Sequence, residues 1–154
     1  MPSKKKNISK DKLLDIINYI STIDAYVSIV KLYNSTNDST DNSNATYSFC
    51  NYIHNKKPCI KVKDIWNPVL DPKKAITNNI KIGGSHLNNV LITGPNAGGK
   101  STLIKSISLS LLLGQTFTIV PARELRITPF SVINTYLNIP DHKGKESLFE
   151  SEMK

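Results

Sequence analysis

The sequence predicts an α/β fold with a parallel sheet and a preceding amphipathic helix, on three observations. Apolar residues recur at three- and four-residue steps between Lys10 and Asn34. Short apolar or alternating runs follow from Cys59 onward. A glycine-rich loop then separates the apolar run 90–93 from a second helical pattern, and the order strand, loop, helix, strand is typical of the start of an α/β unit.

Length and composition predict one soluble domain. The chain has 154 residues, 39% of them hydrophobic and 21% charged, which suits a globular domain with its own core. No run approaches about 18 uninterrupted apolar residues, and no apolar secretory segment follows the basic N-terminus. We therefore expect an intracellular protein, of the cytoplasm or nucleus, with no membrane partner. Cys50 and Cys59 are expected to be reduced thiols.

The net charge of +8 suits a polyanionic partner such as duplex DNA. Much of the excess lies in the N-terminal lysines and in the pairs Lys56-Lys57 and Lys73-Lys74. Such clusters are also typical of solvated surface, so both interpretations stay open.

The first element is a helix over residues 10–34 with one apolar stripe. The stripe consists of Leu13, Ile16, Ile17, Ile20, Ile23, Val27 and Val30. It could cover the core of its own domain or reach toward another domain. Residues 35–48, rich in Asn, Ser, Thr and Asp, are predicted to be a polar linker.

The predicted strands begin after this linker. Alternating apolar and polar residues over 59–66 predict an edge strand. Residues 75–82 are predicted to form a second extended segment. The apolar run 90–93 is typical of a buried parallel strand. The following helix is expected to end at Gly114 as a C-cap, and 116–120 is the third strand, stopped by Pro121.

The loop fits the phosphate-binding pattern G-x-x-x-x-G-K-[ST] at every fixed position. It consists of Gly94, Pro95, Asn96, Ala97, Gly98, Gly99, Lys100 and Ser101. Glycines let backbone N–H groups approach phosphate oxygens, and the helix adds the positive end of its dipole. Lys100 would contact the β- and γ-phosphates, and Ser101 would bind Mg²⁺. ATP is favoured over GTP because no N-K-x-D stretch that reads guanine follows the loop.

The residues around this pattern resemble the MutS family of DNA mismatch-repair ATPases. TGPNAGGKST, which ends at Thr102, is similar to the family's TGPNMGGKST, with Ala97 in place of methionine. IDAYVSIVKL resembles the end of the family's lever helix, and NPVL, FTIVPA and GKESLFESEM resemble further segments in the same order. The resemblance implies a P-loop NTPase fold of the ABC-type ATPase class, as a partial domain over residues 49–154, after a basic tail and lever helix over 1–34.

The resemblance also implies further site residues and partners. Asn78 matches an asparagine near the nucleotide, and Ser147 matches a signature serine that completes the partner's nucleotide site in a dimer. Ser147 is also compatible with a simple helix cap. Ala75 or Ile76 falls where the family often stacks an aromatic ring on adenine. The implied function is ATP gating of a clamp on mismatched or branched duplex DNA, by a homo- or heterodimer.

The Asp-Glu (Walker B) strand that such ATPases use to hold Mg²⁺ and orient water is not found after Ser101. We therefore expect ATP binding without hydrolysis by this chain alone, and possible completion by a second chain. The alternative is a truncated or split-gene interaction protein that dimerises through its helix and basic surface and has lost nucleotide control. A small nucleotide kinase is disfavoured because Arg123 and Arg126 are the chain's two arginines, too few for an arginine-rich lid.

Overall fold

The computed structural model describes residues 10–37, 44–95 and 98–136. Two helices and five strands lie in these ranges. In chain order they are α1 (Lys10–Asn37), β1 (Ser48–Tyr52), β2 (Cys59–Ile65), β3 (Asn78–Gly83), α2 (Lys100–Phe117), β4 (Ile119–Val120) and β5 (Glu124–Ile127).

The five strands form one mixed sheet in the order β3-β2-β5-β1-β4. Only β1 and β5 pair in parallel; the pairs β1–β4, β2–β3 and β2–β5 are antiparallel. The α/β class is confirmed, but the prediction of a parallel sheet is wrong for three of the four pairings. The link from β2 to β3, residues 66–77, contains no helix, so these two neighbours lack the helical crossover that usually joins parallel strands.

Two strand predictions are corrected. The segment 59–66 does form a strand, but β2 lies inside the sheet between β3 and β5 rather than at its edge. The run 90–93 is not a strand, and Leu91 within it is 89% exposed. No strand of the described sheet pairs with this run, and an apolar run becomes a strand only when neighbouring backbone groups complete its hydrogen bonds.

The end predicted for the second helix is also wrong. Helix α2 continues past Gly114 to Phe117 and ends at Thr118, whose φ of 61° is left-handed. Gly114 is buried because the helix backbone meets the sheet there. A Cβ at this position would lie 3.1 Å from Val120 Cγ1 and 3.3 Å from Cys50 Sγ. The glycine therefore permits close packing instead of ending the helix.

The main core lies between α2 and the sheet. Leu103, Ile107 and Leu111 form one face of α2, at steps of four, and pack on buried strand residues. Those strand residues are Ile60, Val62, Ile65, Val120, Leu125 and Ile127, with Ala122 after β4. This packing fixes α2, and with it the loop that precedes the helix.

A second, smaller core holds the C-terminal end of α1. The cluster contains Ala45, Tyr47, Trp66 and Ile119, and the α1 residues Ile29, Leu32 and Tyr33 pack against it. Two hydrogen bonds tie the helix end down: the amide N–H of Tyr47 donates to Thr36 Oγ1 at 3.1 Å, and Asn37 Nδ2 donates to the carbonyl of Tyr47 at 2.9 Å.

The rest of α1 projects from this attachment, and its predicted apolar stripe is exposed. The stripe therefore does not cover the core of the described domain. Within the described ranges, α1 is one helix long and apolar enough to cross a membrane, with a mean hydropathy of 1.4 over 18 residues. A single such helix near the N-terminus is weak evidence for a membrane span, because core helices and signal sequences meet the same test.

Substitution of Gly114 by valine should destabilise the protein by about 1–3 kcal/mol, because the added side chain overpacks the contact with Val120 and Cys50. Ser108→Val, on another turn of α2, is the control for the helix propensity of valine. Urea unfolding followed by the fluorescence of Trp66, the single tryptophan, measures both. Equal destabilisation by the two variants would contradict the packing role of Gly114.

Burial raises the pKa of the Cys50 thiol from 9.0 to about 11. The unfolded thiol ionises near its ordinary pKa while the folded one stays protonated, so its contribution to stability is present below pH 9 and is lost as pH rises through 11. In a Cys59→Ala background, the rate of alkylation by iodoacetamide should have its midpoint near pH 11 in the native protein. In urea the midpoint should return to near pH 9. A native midpoint at 9 would show that Cys50 is not desolvated.

Candidate nucleotide-binding site

The glycine loop leads directly into the N-terminus of α2. Gly99, the residue before the helix, has a φ of 82°, a left-handed conformation that favours glycine. The N–H of Gly98 donates to the carbonyl of Pro95 at 3.1 Å, and the N–H of Leu103 donates to that of Gly99 at 2.9 Å. The turn therefore brings the first-turn N–H groups of α2 next to the loop, as the sequence predicts.

The side chain of Lys100 folds back over this loop. Its Nζ donates to the carbonyl oxygens of Gly94 at 2.8 Å and Pro95 at 2.6 Å. These two carbonyls hold the ammonium group at the mouth of the loop. An anion with several oxygens could take over both contacts as stronger, charge-assisted hydrogen bonds.

A cleft of about 440 Å³ opens beside the loop. Four of the predicted site residues on the loop and α2 line it: Gly98, Gly99, Lys100 and Thr102. Asn78, at the start of β3, lines the same cleft although it is distant in sequence. The structure thus brings the predicted asparagine and the loop together around one cavity.

The remaining predicted residues do not line the cleft or lie outside the described ranges. Gly94 and Pro95 contact Lys100 and do not line the cleft themselves. Ser101 is exposed in the first turn of α2 and does not line the cleft. Asn96, Ala97 and Ser147 lie outside the described residues.

Sequence reasoning named Ile76 but missed three other residues that line the cleft. Lys74 and Leu70 come, like Ile76, from the segment between β2 and β3, and Ser106 comes from the second turn of α2. Lys74 matters most among these residues, because it is a second cation that lines the same cleft as Lys100. Its pairing with Lys73 in the sequence is typical of solvated surface, and only the packing of this segment reveals its position.

The acidic residues of the sheet do not join this cleft. Glu124 contacts Lys63 at 2.7 Å and also Arg126, and Asp64 contacts Arg123 at 2.7 Å. Hydrogen bonds from Lys63 and then Arg126 hold the pKa of Glu124 below its ordinary value. Within the described part of the chain, no group of three His, Cys, Asp or Glu residues could hold a metal ion.

The arrangement suits an anionic ligand with a flat apolar portion. Lys100 and the helix N-terminus supply positive potential at the loop, and Lys74 adds a second cation to the lining of the cleft. Leu70, Ile76, Ile92 and Leu103 supply apolar wall, and Asn78 offers both a donor and an acceptor. These are the features of small-molecule sites, in which a few polar groups orient a ligand against apolar walls.

Known proteins with similar sequences match the part of the chain that contains the loop. The family model for MutS domain V matches residues 90–154, which include the whole loop. "Endonuclease MutS2" of Ligilactobacillus salivarius is 38% identical over 105 residues, 66% of this chain and 13% of that protein. "DNA mismatch repair protein MSH6" of Arabidopsis thaliana is 38% identical over 80 residues, 51% of this chain and 6% of that protein.

The matched segments are a small fraction of these relatives, about an eighth of the length of the MutS2 protein. The match contains the loop beside the cleft, and it extends to two differently named groups of relatives. This chain belongs to the MutS family.

Proposed function

We propose that this chain binds Mg-ATP through residues 94–102, as the nucleotide-binding segment of a MutS-type P-loop ATPase of the ABC class. The observation that carries the proposal is the cleft at the head of α2, where Lys100, Thr102 and Asn78 meet. Membership of the family supports it, since domain V is the part of MutS proteins that matches here.

Each residue has a defined task in this proposal. The backbone N–H groups at the start of α2 bind the β-phosphate, and Lys100 exchanges the carbonyls of Gly94 and Pro95 for the β- and γ-phosphate oxygens. Ser101 holds Mg²⁺, which neutralises the phosphate charge when bound. Asn78 hydrogen-bonds the ribose or base at the other end of the cleft.

Lys74, from the segment between β2 and β3, adds positive charge to the lining of the cleft. Ile76 provides an apolar surface where the family often uses an aromatic ring. Recognition of the base would then depend on aliphatic contact and on Asn78. We propose ATP as the nucleotide.

ATP binding by this segment would gate a clamp on mismatched or branched duplex DNA in the parent assembly. The names of the relatives, a mismatch repair protein and an endonuclease, support action on DNA. The net charge of +8 is compatible with contact to a phosphate backbone. We further propose a homo- or heterodimer in which Ser147 completes the partner's nucleotide site, and in which a second chain could supply the Asp-Glu strand.

We propose that this segment contributes binding rather than turnover. Hydrolysis in this class needs a carboxylate to orient the attacking water. The carboxylates of Asp64 and Glu124 are held by cations of the sheet and do not line the cleft.

A second candidate function is a non-catalytic interaction protein that has lost nucleotide control. The exposed apolar stripe of α1 favours it, since such a surface is typical of an interface. The two candidates differ in whether Mg-ATP stabilises the fold.

Mg-ATP should protect the wild-type protein against thermal unfolding, by about 2.7 kcal/mol at a ligand concentration one hundred times Kd. Lys100→Ala should weaken binding about ten- to a hundredfold, because a hydrogen bond to a charged group is worth about 1.5–3 kcal/mol. The control is Lys105→Ala, which removes an exposed lysine that lines a different surface pocket of α2. Thermal shift and isothermal titration calorimetry measure both variants.

Two results would contradict the proposal. Absence of any stabilisation of the wild type by Mg-ATP would favour the interaction protein. Equal affinities of Lys100→Ala and wild type would exclude the loop as the phosphate site.

Lys74→Ala should weaken Mg-ATP binding about two- to fivefold, less than Lys100→Ala, because Lys74 is exposed and an exposed ion pair contributes about 0.2–1 kcal/mol. The effect should shrink at high salt. Lys73→Ala is the matched control, because Lys73 is the adjacent residue and does not line the cleft. Identical losses in the two variants would indicate a general charge effect and remove Lys74 from the site.

A further inference from the structure

The face of the sheet opposite α2 carries a row of three cations. Lys61 on β2 pairs directly with Lys81 on β3 and with Arg126 on β5, and all three residues are exposed. The residues before and after each of them in the strands pack into the main core, so by alternation the three side chains lie on the outer face. Because neighbouring strands lie about 4.8 Å apart, this basic row is about 10 Å long.

The adjacent row of the same face is neutralised, whereas the basic row keeps its charge. Lys63 lies opposite Glu124, and their side chains form an ion pair at 2.7 Å. Arg126 binds the same carboxylate. Within the described part of the chain, Lys61 and Lys81 have no ion pair. The outer face of β2, β3 and β5 therefore presents four cations and one carboxylate, an excess of three positive charges.

The other acid of these strands does not neutralise the row. Asp64 lies at the irregular end of β2, where Arg123 binds its carboxylate at 2.7 Å. The stability of the sheet does not explain the row either, because like charges directly opposite each other destabilise a sheet. Covering the row with a protein surface that lacks acids would remove its charges from water without compensation. The row therefore fits a partner that supplies negative charge.

We propose that the basic row binds the phosphate backbone of duplex DNA, in a contact that does not depend on base sequence. Lysine and arginine bind phosphates in this way. A row of about 10 Å spans about three phosphates of one strand, which are spaced at about 3.4 Å along the helix axis. Asn51 on β1, opposite Arg126, adds an uncharged donor on a fourth strand.

The proposed contact goes beyond the nucleotide function, because it gives this segment a DNA surface of its own. None of the three cations lines the nucleotide cleft. The choice of DNA over another duplex of phosphates rests on the proposed function, whereas the charge contact itself does not.

The composition of this face favours a duplex over two other anionic partners. Single strands bind by stacking bases on aromatic rings, and β2, β3 and β5 contain none. Phe49, on β1, is stacked on Tyr33 of α1 with ring centroids 5.3 Å apart. Membrane-binding surfaces combine basic residues with apolar side chains that enter the bilayer. Every exposed residue of these three strands is polar, so the face offers charge alone.

Fluorescence anisotropy with a labelled duplex, measured over a range of KCl concentrations, tests the contact. Three phosphate contacts should give a slope of about −2.7 in log K against log [KCl], since each contributes about 0.9. The Lys61→Ala/Lys81→Ala protein should bind about tenfold more weakly at about 50 mM KCl, with a slope of about −0.9. The matched control is Lys31→Ala/Lys105→Ala, which removes the same charge from α1 and α2 and should leave affinity and slope unchanged.

Lys61→Glu separates loss of binding from loss of folding. The new carboxylate lies opposite both Lys81 and Arg126, so it should raise the midpoint of urea unfolding while it weakens DNA binding. Trp66 fluorescence measures that midpoint. Stabilisation by Mg-ATP should be unchanged, because Lys61 does not line the cleft. Weaker DNA binding together with a lower midpoint would trace the loss to the fold and overturn the assignment.

Several other results would overturn the proposal. Equal losses in the two double variants would indicate diffuse attraction to net charge. A loss in Lys4→Ala/Lys5→Ala/Lys6→Ala, with none in the row variant, would assign the contact to the N-terminal lysines. Tighter binding of an oligothymidine of the same length would assign the face to single strands, and preferential binding of phosphatidylserine vesicles would assign it to a membrane. Stabilisation by Mg-ATP is measured separately, so failure of the DNA contact leaves the proposed nucleotide function intact.

Discussion

The packing of α2 on the sheet is the contact on which the rest of the structure depends. Leu103, Ile107 and Leu111 bury one face of the helix, and Gly114 lets its backbone approach β1 and β4. The phosphate-type loop ends where this helix begins, so the contact sets the direction of the first-turn N–H groups. A short loop alone could not hold them, since its glycines add conformational freedom rather than remove it. The rigidity of the candidate site therefore comes from the core beneath α2.

The sequence predicted those parts of the fold that local pattern determines. Both helices, the strands β2 and β3, and the junction of loop and helix follow from periodicity and from the G-x-x-x-x-G-K-S spacing. Strands β1 and β5 were not predicted, because each is short and their parallel pairing joins residues about 75 positions apart. The predictions for β2 and for residues 90–93 were wrong for the same reason. Strand pairing depends on partners that are distant in the chain, which local pattern does not contain.

The candidate site shows the same division. The loop residues could be predicted because the motif is contiguous, and Asn78 because a family resemblance marked it. Lys74 could not, since its role depends on how the segment before β3 packs against α2. The stripe on α1 was visible in the sequence, but periodicity does not say which face meets the body. The face that meets the body is set by two hydrogen bonds at the end of the helix, one donated by Asn37 to Tyr47 and one accepted by Thr36 from Tyr47.

The smaller core connects the nucleotide cleft to the foot of α1. Ala75 packs against the cluster of Tyr47, Trp66 and Ile119, and the neighbouring residues Lys74 and Ile76 line the nucleotide cleft. The foot of α1 packs on the same cluster. A ligand that shifts the segment before β3 must therefore either strain this cluster or move the helix with it, because packed interiors transmit displacement. A ligand in the cleft that favours one position of α1 is in turn bound more tightly, by the same factor, when α1 is held in that position.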